Sequence, residues 1–109
     1  MQKGKITKAK LKRLEKREIN RKFKEWSKKV KKEDKNICVI CGRIEFLNSH
    51  HIIPRQDKDL RFDILNGITL CRKCHQFSRK NSPHKNPFVF HIWLKKHRPG
   101  QYNYLESKC

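Results

Sequence analysis

Cys38-Val39-Ile40-Cys41 and Cys71-Arg72-Lys73-Cys74-His75, separated by 29 residues that include His50-His51 and Asn66, decide the fold of this chain. Each Cys-x-x-Cys pair offers two thiolates at the spacing a tetrahedral ion requires, and an all-sulfur shell selects Zn²⁺ over Mg²⁺ or Ca²⁺. The intervening segment exceeds the ~15–20 residues of a simple zinc ribbon, so something substantial is inserted between the two knuckles. Disulfides are the competing reading, and a basic chain without secretory features favours metal ligation by Cys38, Cys41, Cys71 and Cys74. Cys109 has no comparable partner and reads as an exposed thiol.

The insertion is notable for its histidines. The run Leu47-Asn48-Ser49-His50-His51-Ile52-Ile53-Pro54 has the composition of a strand that stops at the proline. In a strand, His50 and His51 point to opposite sides, so one can face a metal while its neighbour takes another task. An imidazole titrates near neutrality and also ligates divalent metals, which suits a ligand beside a base. His75, next to Cys74, can be aimed back at the same point. Residues 55–61 read as a polar loop, and Ile64-Leu65-Asn66-Gly67-Ile68-Thr69-Leu70 supplies a turn and a second short strand. Residues 71–79 contain no breaker and read as a helix, giving the order strand, strand, helix.

The rest of the chain is organised by charge. Among 109 residues the formal net charge is +19, with a pI near 10.2. Residues 1–35 hold 16 Lys/Arg against 5 Asp/Glu, so they read as a basic arm and residues 36–109 as the folded domain. A core built from so short a domain supplies roughly 3–5 kcal/mol at best, so a structural metal is expected to complete its stability. The net charge favours a polyanionic partner, nucleic acid above all. A membrane surface would call for a strongly apolar helix face or a lipid anchor as well. Met1-Gln2-Lys3-Gly4 offers neither a myristoylation site nor a signal peptide, so the expected location is cytoplasmic.

Residues 8–32 contain neither Pro nor Gly, and Leu11, Ile19, Phe23, Trp26 and Val30 fall near one side of a helix whose other faces are almost wholly Lys and Arg. The stripe docks on its own domain, and the basic faces are free to track a phosphate backbone; the two readings are compatible. Near the C-terminus, Asn86 is a candidate N-cap with Pro87 in the first turn, and Phe90, Trp93, Leu94 and His97 continue a helical period until Pro99-Gly100 stops it. Tyr102, Tyr104 and Leu105 follow as residues able to pack back.

The chain resembles the HNH endonucleases, in the subgroup whose ββα-metal finger is clasped by a four-cysteine zinc site. The resemblance rests on His50-His51-Ile52-Ile53-Pro54, on residues 63–71 around Asn66, and on Cys71-Arg72-Lys73-Cys74-His75, with the first cysteine pair upstream. It implies a small α+β fold, with the finger core at about 38–79; residues 83–109 lie outside the resemblance and read from their own pattern as a C-terminal helical extension. It also implies that His51 is the general base and that His50 and His75 hold one catalytic divalent ion, Mg²⁺, Mn²⁺, Ni²⁺ or Zn²⁺. Asn66 would fix the loop and orient His51 through its amide. The substrate would be DNA, duplex by expectation, with Arg43, Arg55, Arg61, Arg72 and Lys73 contacting its backbone. The setting would be intracellular, in a prokaryote or phage.

Taken singly, His50, His51, His75 and Asn66 each have an ordinary structural reading; their joint order with both cysteine pairs favours a nuclease. His84, His91 and His97 lie outside the resemblance and read as surface or packing residues. Asp57, Asp59 and Asp63 read as loop carboxylates. Two competing functions are a non-catalytic, zinc-stabilised DNA or RNA binder, and an interaction protein whose Phe23/Trp26 stripe joins a larger phage or nuclease assembly.

Overall fold

A computed structural model describes residues 7–79 and 82–109. Residues 1–6 and 80–81, which include the start of the leader and part of the loop expected after the second knuckle, lie outside the described residues. The leader forms one helix, α1 (Lys8–Glu33), capped by the Thr7 hydroxyl, which accepts the Lys10 N–H at 3.1 Å. Lys35 and Asn36 adopt left-handed backbone, and the Asn36 N–H closes the helix on the Lys31 carbonyl at 2.7 Å. Of the expected stripe, Trp26 and Val30 are fully buried. The docked part of α1 is therefore its C-terminal half.

The first knuckle turns at Gly42, whose φ of 78° is accessible to glycine without strain, and its N–H donates to the Cys38 carbonyl at 2.8 Å. Strand β1 (Leu47–His51) pairs antiparallel with β2 (Gly67–Cys71), with His50 opposite Ile68 and His51 opposite Gly67. The first strand ends three residues before Pro54, earlier than expected. Asn66 explains this, because its side chain takes both backbone groups of Ile53, accepting the N–H at 2.7 Å and donating to the carbonyl at 2.9 Å. Residues 64–66 form a 3₁₀ turn rather than strand, with Asp63 as its cap.

The hairpin is the middle layer. Its alternation sends Ser49, His51 and Gly67 toward α1 and His50, Ile68 and Leu70 toward the C-terminal helices. On the α1 side, the Ser27 and Ser49 hydroxyls meet at 2.8 Å, and α1 comes so close that no side chain fits at Gly67. On the other side, Ile68, Leu70, Phe90 and Leu94 form a core with Cys38, Cys71 and Cys74. Asp34, buried at the end of α1, ties the layers together. Its carboxylate accepts the Thr69 N–H on the free edge of β2 and pairs with Arg98, each at 2.8 Å.

One further expectation is corrected. Residues 71–79 do not form an ordinary helix but a widened turn at Lys73–Phe77, closed by the Ser78 N–H on the Lys73 carbonyl at 2.7 Å. It sends neighbouring residues to different sites, Cys74 into the sulfur cluster and His75 toward the imidazoles. The C-terminal helix α2 (Pro87–His97) starts at Asn86 as expected. It ends at His97, before Pro99, as expected, and Pro99 opens a further helix, α3 (Pro99–Glu106), because proline at a first helical position lacks only an N–H that has no partner there. Leu105 of α3 is buried, and the Tyr104 hydroxyl donates to Asp63. Among the described residues no helix is long and apolar enough to cross a membrane.

The close approach at Gly67 gives a test. A Cβ there would lie 2.3 Å from Val30 Cγ2 and 2.7 Å from the Trp26 ring. Gly67→Ala is expected to destabilise the fold by about 1–3 kcal/mol through overpacking. Thermal unfolding of the metal-loaded protein would register this as a lower midpoint.

Candidate functional site

Two clusters of metal-ligating side chains stand on either end of the hairpin's core face. In the first, the sulfurs of Cys38, Cys41, Cys71 and Cys74 all lie within 4.8 Å of one another, with Cys41 and Cys71 3.5 Å apart. Tetrahedral Zn–S bonds of about 2.3 Å place sulfurs about 3.8 Å apart, so this spacing fits a zinc ion. Burial pushes the Cys41 and Cys74 thiols up. Burial also acts against ionisation of Cys71, but the Cys74 N–H and the neighbouring thiols outweigh it and hold Cys71 down to about 7. Four thiols this close ionise together only when a cation compensates them. The four cysteines are positioned to form a metal site, and their chemistry suits zinc. Three of the four ligands are buried and Cys41 is exposed.

The second cluster is made of imidazoles. His50 comes from β1 and His75 from the widened turn, and His50 Nδ1 lies 3.1 Å from His75 Nε2. His84 Nε2 lies 3.0 Å from the same nitrogen. His75 Nδ1 is buried without a hydrogen-bond partner, so all polar contacts of that ring pass through Nε2 to the other two imidazoles. Tetrahedral metal–nitrogen bonds of about 2.0–2.1 Å set nitrogens about 3.3 Å apart, close to what these rings adopt. Burial first, and then the nearby His75 and His84, push His50 down to about 3; burial and His84 push His75 down to about 4. Both rings are neutral at pH 7, with lone pairs available to a cation.

His84 is exposed, in keeping with its reading as a surface residue, but its place in this cluster was not expected. It is brought there by Ser82, which is fully buried and donates to the His75 carbonyl at 2.6 Å while accepting the His84 N–H at 3.2 Å. No periodicity or spacing in the sequence signals this tether, since the link runs through a loop.

His51 lies on the opposite face of β1, against α1. Its ring stacks on Trp26 at 3.8 Å and 8° between planes, with Phe23 edge-on at 5.6 Å. Its Nε2 is 2.9 Å from the Arg61 carbonyl. A carbonyl only accepts, so Nε2 carries the proton and Nδ1 keeps its lone pair. Burial lowers the pKa of His51 below the usual imidazole value; the Arg61 carbonyl opposes this and the Arg55 charge adds to it.

Asn66 is fully buried, and its amide reaches the loop backbone rather than His51. Besides Ile53, it donates to the Leu60 carbonyl at 3.2 Å, one residue before the carbonyl that holds His51. Arg55 lies over the Phe23 ring and Arg61 over Phe62, both beside His51, whereas Arg72 lies over Phe46 near the sulfur cluster. Arg43, Arg55, Arg72 and Lys73 are exposed.

Residues 38–80, which carry the hairpin with His50 and His51, the buried Asn66 and both cysteine pairs, match the HNH endonuclease family. No curated protein and no solved structure matches the chain. The HNH finger includes every sequence-derived site residue, while His84, Trp26 and Phe23 lie outside it.

Two outcomes test the site's construction. Cys38→Ser is expected to abolish zinc binding at the sulfur cluster and to unfold the finger, checked by metal analysis and circular dichroism. Asn66→Ala leaves three backbone groups of Ile53 and Leu60, buried or partly buried, without these partners and is expected to cost about 2–4 kcal/mol in denaturant unfolding.

Proposed function

We propose that the protein is a metal-dependent HNH endonuclease that hydrolyses phosphodiester bonds in DNA. The observation that carries this reading is the pairing, at adjacent positions of one strand, of an imidazole in a three-nitrogen cluster and an imidazole with a free Nδ1. A phosphodiester laid across the end of β1 meets His50 on one side and His51 on the other.

His51 Nδ1 takes a proton from the water that attacks phosphorus. The tautomer set by the Arg61 carbonyl keeps that nitrogen unprotonated beforehand, and the Trp26 face favours the imidazolium that forms. As the new P–O bond forms, the bond to the 3′ oxygen breaks, leaving 5′-phosphate and 3′-hydroxyl ends. His50, His75 and His84 would hold a divalent cation, which when bound stabilises charge on the phosphate oxygens and the leaving oxygen. Three imidazoles, with no carboxylate grouped with them among the described residues, favour Zn²⁺ or Ni²⁺ over Mg²⁺, with Mn²⁺ between. Asn66 keeps the loop closed so that the Arg61 carbonyl stays in reach of His51.

Arg43, Arg55, Arg61, Arg72 and Lys73 contact the sugar-phosphate backbone, which positions duplex DNA without specifying sequence. Weak sequence preference follows. The free thiols that ligate metal suit a reducing intracellular compartment.

Supercoiled plasmid incubated with protein and Zn²⁺, Ni²⁺, Mn²⁺ or Mg²⁺ is expected to be nicked or linearised, and excess chelator to stop this; plasmid left intact by all four ions would leave only a DNA-binding module. His51→Ala is expected to lower the cleavage rate at least about 100-fold while thermal stability and DNA affinity stay near those of the parent. Near-parental rates in that variant would remove His51 from the role of base.

A further inference from the structure

The face of α1 that lies on the finger runs backward through Trp26, Phe23 and Ile19. Continued toward the N-terminus in the same steps of three and four residues, it passes Glu15 and Lys16 and becomes Lys12 and Lys8, so that lysines outnumber the one carboxylate three to one. The change of chemistry falls where protein beneath the helix ends. Every residue from 7 to 18 is exposed, and the molecule measures 62 Å along its longest axis against 32 and 24 Å across. Among the described residues none of these three lysines is in an ion pair, whereas Arg21, on another face, engages both Glu18 and Glu25. The first turn holds no acidic residue, so lysine charge sits at the positive end of the helix dipole, an arrangement an external anion relieves.

We propose that the exposed N-terminal half of α1 is a duplex-binding arm whose Lys8, Lys12 and Lys16 hold phosphates flanking the one that is cut. The partner is duplex nucleic acid rather than another polyanion because the lysine stripe is collinear with Phe23, whose ring borders His51. Phosphates on the arm are then continuous with the phosphate at the base. At about 1.5 Å per residue the stripe reaches about 22 Å beyond Phe23, the length of six to seven base pairs at about 3.4 Å each. This inference rests on the proposed nuclease reading for the position of the substrate, while the binding it describes is measured without cleavage.

The test compares two triple variants of the full chain, both carrying His51→Ala so that DNA stays intact. One is Lys8→Gln, Lys12→Gln and Lys16→Gln on the stripe; the other is Lys10→Gln, Arg17→Gln and Lys24→Gln on the opposite face. Each removes three charges, and glutamine keeps the helix propensity of lysine. Affinity for a duplex extending beyond both ends of the protein is measured against salt concentration. The stripe variant is expected to lower the slope of log K against log salt by about 2.7, and the opposite-face variant by less than about 1. Affinity of the stripe variant at moderate salt is expected to fall at least about tenfold. Equal losses in both variants, or none in either, would overturn the arm, as would sedimentation showing a dimer that the stripe substitutions dissolve. A parent protein that cuts no DNA, with the slope loss intact, removes the nuclease and leaves the arm standing.

Discussion

The convergence of two cysteine pairs on one point is the constraint from which the remaining geometry follows. Cys38, Cys71 and Cys74 belong to the hydrophobic core itself, beside Ile68, Leu70, Phe90 and Leu94. Cys71 also ends β2, in register with Leu47 at the start of β1. Drawing the sulfurs together therefore fixes the hairpin from one end. His75 follows a ligand directly, and His50 sits opposite Ile68, three residues before another. A domain with so few large buried side chains has little else to hold these imidazoles in place.

Strand alternation then divides the labour. Adjacent residues of β1 emerge on opposite faces, and each face has its own backing: α2 and the widened turn behind His50, α1 behind His51. Asn66 ends the ladder by standing in for a strand partner to Ile53, and it pins the loop that carries the Arg61 carbonyl. A single buried amide thus sets where the strand stops and keeps the tautomer of His51 fixed.

The parts legible in the sequence were those encoded by short-range spacing. The cysteine pairs, the amphipathic stripe of α1, the Asn86-Pro87 helix start and the two-sided display of His50 and His51 all depend on neighbours a few residues apart. Long-range links were hidden. Trp26 stacks on His51 across 25 positions, and its ring N–H donates to the Asp63 carbonyl across 37. His84 reaches the imidazole cluster only through the buried hydroxyl of Ser82.

The wall behind His51 belongs to a segment that precedes the finger in the chain. Trp26 and Phe23 are supplied by α1, whereas the two metal clusters draw their ligands almost wholly from residues 38–80. Transplanting the finger alone into another scaffold would carry over the sulfur clasp and two of the three imidazole ligands. It would leave the His51 imidazole with one flank open to water and its ring plane unset. In modular terms, the smallest portable unit of this protein is the finger together with the latter half of its leading helix.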